Sequence, residues 1–382
     1  MTMKIGINGR FLLKPFTGIG QHTINLIKEL AKIDAKNQYV FFVAGEVPAK
    51  IAELFPKNVE IRVLREKKLP SAGAKKVWWE QIQLPKILTE EKFDIAYFPY
   101  PINPWTKDFY KNGPKIVVTV HDCLPWKYKH YTGGVLSRMA HEQAKKATSK
   151  ADIILTVSQV SKKEISDICE IDPKKISVIH NDAGDVFKKP SDPILTNEIL
   201  GKYGLQMERF FFYCGGYDER KNVPKLINEY ADFVKDFEEE IPLVLAGGKA
   251  MNNSLYRSFD EAKSDFGEII KTGFLKEEEL KALYENCMAF VNLSREEGFN
   301  IPILEAANCG SPLIISDTEI HKEIAGENAE FVDISKSGTC TKAMGKMLDH
   351  DYRGEFSEKS KDLAKKYSWK ISAQKVYDVL FS

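Results

Sequence analysis

The chain has 382 residues, of which 43% are hydrophobic and 29% are charged, the balance of an ordinary globular protein. Its 55 basic and 54 acidic residues leave a net charge of +1, which argues against a dedicated nucleic-acid-binding protein because such proteins carry a strong basic excess. No apolar run approaches the roughly 18 residues that span a bilayer, and no signal-peptide core is present at the N-terminus, so we expect a cytoplasmic protein.

Short β-branched and aromatic runs alternate with longer helical patterns along the first half of the chain. Most of these runs are continuously apolar, which is typical of parallel strands covered on both faces. Helical periodicity is clear over 20–33 and 74–89. The predicted strands cover residues 4–7, 39–44, 59–64, 94–98, 115–120, 152–157 and 176–180.

The second half repeats this alternation, which predicts an α/β chain of two doubly wound domains. The charged, proline-containing segment 187–209 is the predicted join, so we divide the chain into 1–188 and 189–367, followed by an amphipathic final segment. The predicted strands cover 210–214, 242–247, 268–273, 289–293, 312–316 and 329–333, and the predicted helices 223–237, 276–286, 301–309 and 336–348.

Ligands of open α/β sheets bind beyond the carboxyl ends of the strands, so we expect the binding and catalytic residues in the loops that follow the strands. The segment FTGIGQHTINL has Gly18 and Gly20 just before a helix, where backbone N–H groups can approach an anionic oxygen. It lacks the third glycine of the dinucleotide fingerprint and lies about ten residues beyond the first strand. A phosphate contact and a plain turn therefore both stay open.

His121 and Asp122 directly follow the apolar strand 115–120. A histidine in that position can hydrogen-bond a substrate hydroxyl or take part in proton transfer, although a purely structural role is equally compatible with a lone histidine.

Two cations follow the strand at 210–214. Gly215 and Gly216 make a turn after that strand, and Arg220 and Lys221 precede a helix for which Asn222 is the expected N-cap. Basic side chains beside a helix N-terminus favour a diphosphate, and the alternative is an exposed surface pair.

The stretch 292–314 is the most informative. Glu297 lies in the loop after a strand, and Glu305 lies on the next helix, separated from it by seven residues. Carboxylates accept hydrogen bonds from vicinal sugar hydroxyls, while the helix start attracts phosphate through its amides. The amides in question belong to Gly298, Phe299 and Asn300.

Metal-ligand patterns are weak in this sequence. Asp349 and Asp351 form a D-x-D pair of the kind that can hold a divalent ion, but they lie in a polar stretch away from a strand end, and we expect a solvated loop there. No zinc-ligand cluster or G-x-S-x-G elbow is present in the sequence.

Taken together, the sequence resembles retaining glycosyltransferase family 4, and most closely the bacterial mannosyltransferases of polysaccharide assembly. The resemblance covers nearly the whole chain and rests on TGIGQHTINLI, WWEQIQLP, VHDCLPW, TVSQVSKKEI, YCGGYDERKN and EGFNIPILEA. It implies the GT-B fold, in which two Rossmann-like domains face each other across a cleft. The N-terminal domain would serve the acceptor, the C-terminal domain would bind the nucleotide sugar, and helix 368–382 would cross back onto the N-terminal domain.

The resemblance also implies roles for the matching residues. The implied catalytic residues are His121 at the transferred sugar, Arg220 and Lys221 at the donor diphosphate, and Glu297 at the sugar hydroxyls. The implied donor-binding residues are Gly18, Gly216, Gly298, Phe299, Asn300, Ile301 and Glu305, the last at the ribose. Two positions depart from the family: Gly216 stands where many members have arginine, and Asn181-Asp182 replaces the usual Asn-Gly.

The implied reaction is transfer of a hexose from a nucleotide-diphosphate sugar, for which GDP-mannose is our choice, to a glycan or lipid-linked acceptor. We expect retention by front-face attack, with no metal or other cofactor and no nucleic-acid partner. The alternatives are a transferase that uses a UDP-sugar, an epimerase or phosphorylase on the same fold, and a catalytically silent sugar-nucleotide-binding subunit.

Basic and aromatic residues lie together in the N-terminal half, a combination that can bind an anionic membrane surface. Peripheral membrane contact and a solvated face with packed tryptophans are both open. The residues are Lys67, Lys68, Lys75, Lys76, Trp78, Trp79, Trp126 and Lys127.

Overall fold

The protein is described here by a computed structural model covering residues 2–128, 134–247 and 267–381. Two compact units divide the chain: Met1–Asn181 with Ser368–Ser382, and Asp182–Tyr367. The division falls before the short 3-10 turn Asp185–Lys188, whereas the sequence placed the boundary after it. The closing segment 368–382 belongs to the first unit.

The first unit is built on a seven-stranded parallel sheet in the order β3-β2-β1-β4-β5-β6-β7. The chain leaves β1 toward one edge through β2 and β3, and then returns beside β1 with β4. This reversal makes the β1–β4 boundary the topological switch point of the sheet. The strands are β1 Lys4–Asn8, β2 Gln38–Val43, β3 Val59–Val63, β4 Ile95–Phe98, β5 Lys115–Val120, β6 Ile153–Thr156 and β7 Ile176–Val178.

Both faces of this sheet are covered, as its continuously apolar strands predict. Phe41 packs with the cluster that includes Ile27 of the first helix and Trp369 of the last helix, and Phe42 packs into a separate cluster on the opposite face. The helices are α1 Gly18–Ile33, α2 Ala49–Ala52, α3 Ala72–Trp78, α4 Leu84–Glu90, α5 Lys107–Asn112, α6 Leu124–Lys127, α7 Val135–Lys150, α8 Gln159–Cys169 and, at the end of the chain, Trp369–Phe381.

The predicted helix 74–89 has an irregular centre. A π-helical turn, Trp79–Gln83, joins α3 to α4. Such turns are rare and often mark functional positions, and they leave no hydrophobic period from which they could be predicted.

The second unit is built on a six-stranded parallel sheet in the order β10-β9-β8-β11-β12-β13, with its switch point between β8 and β11. The two units therefore confirm the predicted fold class of two doubly wound, Rossmann-like domains. The strands are β8 Phe211–Cys214, β9 Leu243–Ala246, β10 Ile269–Gly273, β11 Ala289–Asn292, β12 Leu313–Ser316 and β13 Glu330–Val332.

Four described helices of this unit match the predicted periods, whereas the helix Glu319–Ala325 was not among them. The helix over 350–364 was not predicted, because its alternating charges conceal a weak apolar face. Asp349 caps this helix by accepting from the amides of Asp351 and Tyr352, so the D-x-D pair marks a helix start. The helices are α9 Pro193–Lys202, α10 Val223–Phe237, α11 Glu277–Asn286, α12 Ile301–Asn308, α13 Glu319–Ala325, α14 Thr339–Lys346 and α15 His350–Ala364, which makes Trp369–Phe381 α16.

None of the helices in the described part of the chain combines the length and the apolar character needed to cross a bilayer.

Candidate active site

The candidate site of the second unit begins where β8 and β11 end side by side. These strands are hydrogen-bonded neighbours, with Phe211 opposite Ala289 and Phe212 opposite Phe290, so the loops that follow them meet at the switch point. The glycines after β8 allow a close approach of backbones. A Cβ on Gly247 (φ +135°) would lie 1.8 Å from the carbonyl oxygen of Gly215.

An ion cluster joins the two loops. The carboxylate of Glu297, in the loop after β11, accepts from the guanidinium of Arg220 and from the ammonium of Lys221, both in the turn after β8. Asp218 also binds Arg220, with its Oδ1 3.0 Å from Nε. The Glu297 side chain is only 7% exposed, so this pairing takes place largely out of water. The structure thus brings three of the predicted catalytic residues into direct contact.

The cluster keeps Glu297 ionised. Burial alone would raise the pKa of this carboxyl, but the neighbouring Lys221 and Arg220 outweigh it and lower the pKa to about 2. Glu297 is therefore a fixed negative charge that orients two cations at neutral pH. The formal charges of Glu297, Asp218, Arg220 and Lys221 cancel, so the loops hold their cations in place by pairing them.

Backbone and side-chain contacts lock the two loops together. The amide of Arg295 donates to the carbonyl of Arg220 (2.7 Å), and its guanidinium donates to Oδ1 of Asn222 (3.2 Å). Asn222 precedes α10 as predicted, but its backbone is left-handed (φ +55°) and its side chain does not cap the helix. The side chain instead binds the neighbouring loop.

The start of α12 is held by a buried histidine that the sequence analysis missed. Asn300 has a left-handed backbone (φ +82°), and its Nδ2 lies 3.0 Å from Nε2 of His321. Nδ1 of His321 lies 3.0 Å from the carbonyl oxygen of Ser316. Burial lowers the pKa of His321 to about 4, so the ring is neutral, donates from Nδ1 and accepts at Nε2. The only signal in the sequence is a histidine shortly after β12.

The other predicted residues at this helix start surround the same turn. Gly298 is half-buried, and Phe299 is buried with its ring edge-on to Tyr367 at 5.9 Å between centroids. Ile301 is the first residue of α12.

Glu305 lies one turn further along α12, half-buried. The hydroxyl of Tyr284 donates to its Oε2 at 3.0 Å. Burial raises the pKa of Glu305 to about 7, although the Tyr284 hydrogen bond works in the opposite direction. Tyr284 also bonds Cys214 at the end of β8, and the charges of Glu305 and Lys221 both act on that thiol. The Cys214 thiol is thus close enough to Glu305 and to Lys221 for both charges to act on it.

Gly216 is exposed on the turn after β8, and its carbonyl accepts from the hydroxyl of Tyr213 at 2.5 Å. Because Gly216 has no side chain, it offers only its backbone to a ligand at this turn.

His121 and Gly18 belong to the first unit. His121 follows β5, and its Nε2 lies 2.9 Å from the carbonyl oxygen of Pro99, so Nε2 carries the proton and Nδ1 is left as an acceptor. Burial, with the nearby His22, lowers the pKa of His121 to about 3. The neutral ring can accept a hydrogen bond, but at neutral pH it has no acidic proton to give.

His22 is a second buried histidine that the sequence did not single out. Its ring meets His121 edge-to-face at 4.8 Å, and its Nδ1 lies 2.7 Å from Oδ1 of Asn181. It also lies edge-on to Trp369. His22 therefore packs against His121 from α1. It could not be singled out in the sequence because it lies at helical spacing among the apolar core positions of this helix.

Of the two glycines near α1, Gly20 is the one that the fold requires. Gly18 is exposed at the first position of the helix, and a Cβ there would contact nothing within 4 Å. A Cβ on Gly20 would lie 2.4 Å from the carbonyl oxygen of Lys14.

Solved structures share the fold of this chain over its whole length. The chain matches Anabaena Alr3699/HepE in complex with UDP and glucose at a TM-score of 0.73 and 14% identity, with 100% of each chain covered. It matches WaaG, a glycosyltransferase involved in lipopolysaccharide biosynthesis, at the same score and identity, again with 100% of each chain covered. At this identity the likeness shows the fold.

Several relatives at the sequence level are named mannosyltransferases. O-antigen chain mannosyltransferase B of Escherichia coli is 24% identical over 369 residues, 93% of each chain. RfbU, an O-antigen chain mannosyltransferase of Salmonella typhimurium, is 29% identical over 56% of each chain. WbdA of Escherichia coli, a serotype-specific mannosyltransferase, is 30% identical over 57% of this chain, a region that spans only 27% of WbdA.

Two family models match the chain in succession. The model Glycosyltransferase Family 4 matches residues 16–181, and Glycosyl transferases group 1 matches residues 196–366. The first match falls in the first unit and the second in the second unit. With these matches and the GT-B-type fold, the chain belongs to the family 4 glycosyltransferases.

Proposed function

We propose that this enzyme transfers a mannosyl residue from GDP-mannose to a hydroxyl group of a glycan or lipid-linked acceptor, with retention of the anomeric configuration and without a metal ion. The names of the relatives support mannose as the sugar. The bound UDP of a structural neighbour supports a nucleotide-diphosphate sugar as the donor class. A UDP-sugar is the alternative donor.

The observation that carries the proposal is the Arg220–Glu297–Lys221 cluster at the switch point of the second sheet. Departure of the nucleotide puts negative charge on the diphosphate, and two positioned cations stabilise that charge in the transition state. Each such contact contributes about 2.7–4 kcal/mol when it acts in a preorganised, water-poor site. The start of α12, with the amides of Phe299, Asn300 and Ile301, adds a helix dipole of the right sign.

The remaining donor contacts follow from the chemistry of each group. Glu297 accepts from sugar hydroxyls while holding its two cations, and Glu305 accepts from the ribose diol. Gly18 and Gly216 are exposed and let the backbone approach the diphosphate. His121 accepts a hydrogen bond from a hydroxyl of the transferred sugar through Nδ1, because Nε2 is committed to Pro99.

The chemical step is front-face substitution. The bond between the anomeric carbon and the phosphate oxygen breaks, and its electron pair stays on the diphosphate. The acceptor oxygen attacks from the same face and forms the new glycosidic bond, and its proton moves to the departing phosphate oxygen. Neutral His121 takes no part in this proton transfer, because burial holds its pKa far below neutral.

The test is a panel of GDP-mannose, GDP-fucose, UDP-glucose and UDP-galactose, with the product anomer read by NMR. We expect turnover of GDP-mannose, an α-linked product and full activity in EDTA. Arg220→Ala should lower kcat at least about a hundredfold, in line with loss of one stabilising contact. Exclusive use of UDP-sugars, an inverted product or loss of activity restored by Mg²⁺ would each contradict the corresponding part of the proposal.

The second candidate is a catalytically silent sugar-nucleotide-binding subunit, which is favoured by Gly216 in place of the arginine that many family members have. Such a protein would bind a donor of the panel but neither transfer nor hydrolyse it. Measurement of nucleotide release over hours distinguishes the two candidates.

We also propose peripheral contact with anionic membranes through α3. Lys76 is exposed there, and Lys67 lies over the ring of the half-buried Trp78 at 4.7 Å. Trp79 does not contribute, because it is fully buried and donates to the carbonyl of Leu64. In a flotation assay, the protein should move with phosphatidylglycerol liposomes, and the double variant Lys67→Glu, Lys76→Glu should stay behind. Equal flotation of the double variant would contradict this contact.

A further inference from the structure

The first sheet carries its own charged cluster at the matching position. Asn8 is the last residue of β1, and Tyr100 lies two residues beyond β4. These neighbouring strands flank the switch point of the first sheet, as β8 and β11 flank that of the second. Open α/β sheets bind ligands at such points. The side chains at this point therefore occupy the same place in the sheet topology as the ion cluster of the second unit, and a ligand is expected at both.

The centre of this cluster is Glu80, in the π-helical turn after α3. Its carboxylate accepts from the hydroxyl of Tyr100, and Nε of Arg10 lies 3.4 Å from the same Oε1. Arg10 is held in turn by Glu66, with 2.6 Å between Nη1 and Oε1. Asn8 donates to the Tyr100 hydroxyl at 3.3 Å. The cluster thus links β1, the loop after β4 and the π-helical turn.

A carboxylate in this position needs an explanation. Glu80 is 4% exposed, and burying a charge in exchange for an ion pair adds little to stability on balance. Burial raises the pKa of Glu80, with Lys76, Tyr100 and Arg10 opposing it. Among the described residues, the Tyr100 hydrogen bond and the Arg10 ion pair of this carboxylate both fall on Oε1. Oε2 is available to accept from a ligand.

The charge balance and surroundings indicate what that ligand is. Arg10 and Lys76 offset Glu66 and Glu80, so the cluster favours a neutral, hydroxyl-rich molecule over an anion. It also lies next to His121, because the carbonyl that holds the His121 ring belongs to Pro99, the residue before Tyr100. The backbone amide of Trp105 donates a hydrogen bond to the carbonyl of Gln81 in the π-helical turn (2.9 Å). The Trp105 side chain is 58% exposed beside this turn.

We propose that Arg10, Glu80 and Tyr100 form a subsite that binds the hydroxyl groups of the carbohydrate acceptor. This inference rests on the proposed function, because it assigns the second substrate of the same reaction. Glu80 accepts from an acceptor hydroxyl through Oε2, while Tyr100 and Arg10 hold its Oε1. Arg10 donates to a neighbouring oxygen of the same sugar. The residues that fix the acceptor are thus separate from those that hold the donor.

The experiment measures acceptor binding and donor chemistry independently. Octyl α-mannoside, octyl β-galactoside and octyl N-acetyl-β-glucosaminide serve as probes, with binding followed by saturation-transfer NMR and donor hydrolysis by nucleotide release. We expect at least one probe to bind, and Glu80→Gln to weaken its binding at least about tenfold. Tyr100→Phe should weaken it less. Donor hydrolysis without acceptor should stay within about twofold of wild type.

A buried carboxylate elsewhere provides the matched control. Glu229 accepts from the amides of Gly338, Cys340 and Thr341 in the second unit. Glu229→Gln should lower thermal stability and leave octyl glycoside binding unchanged.

The outcomes separate the two proposals. Absence of binding by all three probes, or unchanged binding in both Glu80→Gln and Tyr100→Phe, overturns the acceptor subsite. Equal loss of binding and donor hydrolysis in both variants also overturns it, because that result indicates a structural role. If wild type consumes no donor of the panel, the proposed function fails, and probe binding is still decided by NMR.

Discussion

Glu305 should make donor binding depend on pH in the neutral range. Its pKa of about 7 places the transition from carboxyl to carboxylate in the neutral pH range. A carboxylate accepts hydrogen bonds from both hydroxyls of a ribose diol, whereas a carboxylic acid uses one oxygen as a donor. If Glu305 binds the ribose, the ionised form must bind the donor more tightly.

The magnitude follows from the titration. With a pKa near 7, about 3% of Glu305 is ionised at pH 5.5 and almost all of it at pH 8.5. If only the carboxylate form binds the donor, the apparent Kd should rise about 30-fold between pH 8.5 and pH 5.5. Neither Glu297, with a pKa of about 2, nor Cys214, with a pKa of about 12, titrates in this interval.

The assay is isothermal titration calorimetry of the donor against the enzyme without acceptor, at six pH values from 5.5 to 8.5. The diphosphate of a nucleotide sugar is esterified at both ends and keeps its charge over this range, so the titration reports the protein. Tyr284→Phe provides an internal check. Removing the hydroxyl that donates to Oε2 destabilises the carboxylate, so the midpoint should move upward from that of wild type.

Glu305→Gln is the matched control, because it keeps the shape and removes the titration. Its donor affinity should be weak and constant with pH. A Kd that stays constant for wild type, or a pH dependence that persists in Glu305→Gln, would refute the assignment of Glu305 to the ribose.

Three further predictions concern turnover and stability. Glu297→Gln should lower kcat at least about a hundredfold, since it releases both cations from one anchor, and undiminished turnover would contradict the role of the cluster. Gly20→Ala should destabilise the protein by about 1–3 kcal/mol in thermal unfolding, because the added Cβ would overlap the Lys14 carbonyl. Gly18→Ala is the control: its Cβ meets no atom within 4 Å, so the variant should be neutral or stabilising by less than about 1 kcal/mol. Because folding raises the pKa of Glu305, this residue destabilises the fold increasingly as the pH rises from 4.5 to about 7. Glu305→Gln should therefore raise the free energy of unfolding at pH 8 by about 2 kcal/mol more than at pH 4.5, after allowing for the partial exposure of the side chain, and Tm should shift in the same direction. A Tm difference that is the same at both pH values would contradict it.

The strands and the loops that follow them could be predicted from the sequence because most of the strands are continuous apolar runs. The order of the strands could not, since a run such as 289–293 carries no record of its neighbour. The contact of Glu297 with Arg220 depends on β11 lying beside β8. Sequence motifs indicated both residues as candidates, and the resemblance assigned their roles, but only the topology makes them partners.

The buried histidines and Glu80 show where sequence reasoning stops. His22 and His321 lie at helical positions that a histidine can occupy without any function, and their protonation follows from burial and partners that are distant in the chain. In the sequence, nothing distinguishes Glu80 from other glutamates except that it follows two tryptophans. Its significance arises from Arg10 and Tyr100, which lie beyond β1 and β4 and which the fold brings to it.

The last helix gives the first unit a particular order of assembly. Trp369, Val376 and Leu380 belong to the same core as Ile24 and Leu26, so the N-terminal sheet lacks part of its cover until α16 has been synthesised. The segment 182–367 lies between the two parts of the first unit, so all of it leaves the ribosome before α16 does. During translation the nascent first unit therefore exposes an apolar groove along α1, which makes it the part of the newborn chain that a chaperone would engage.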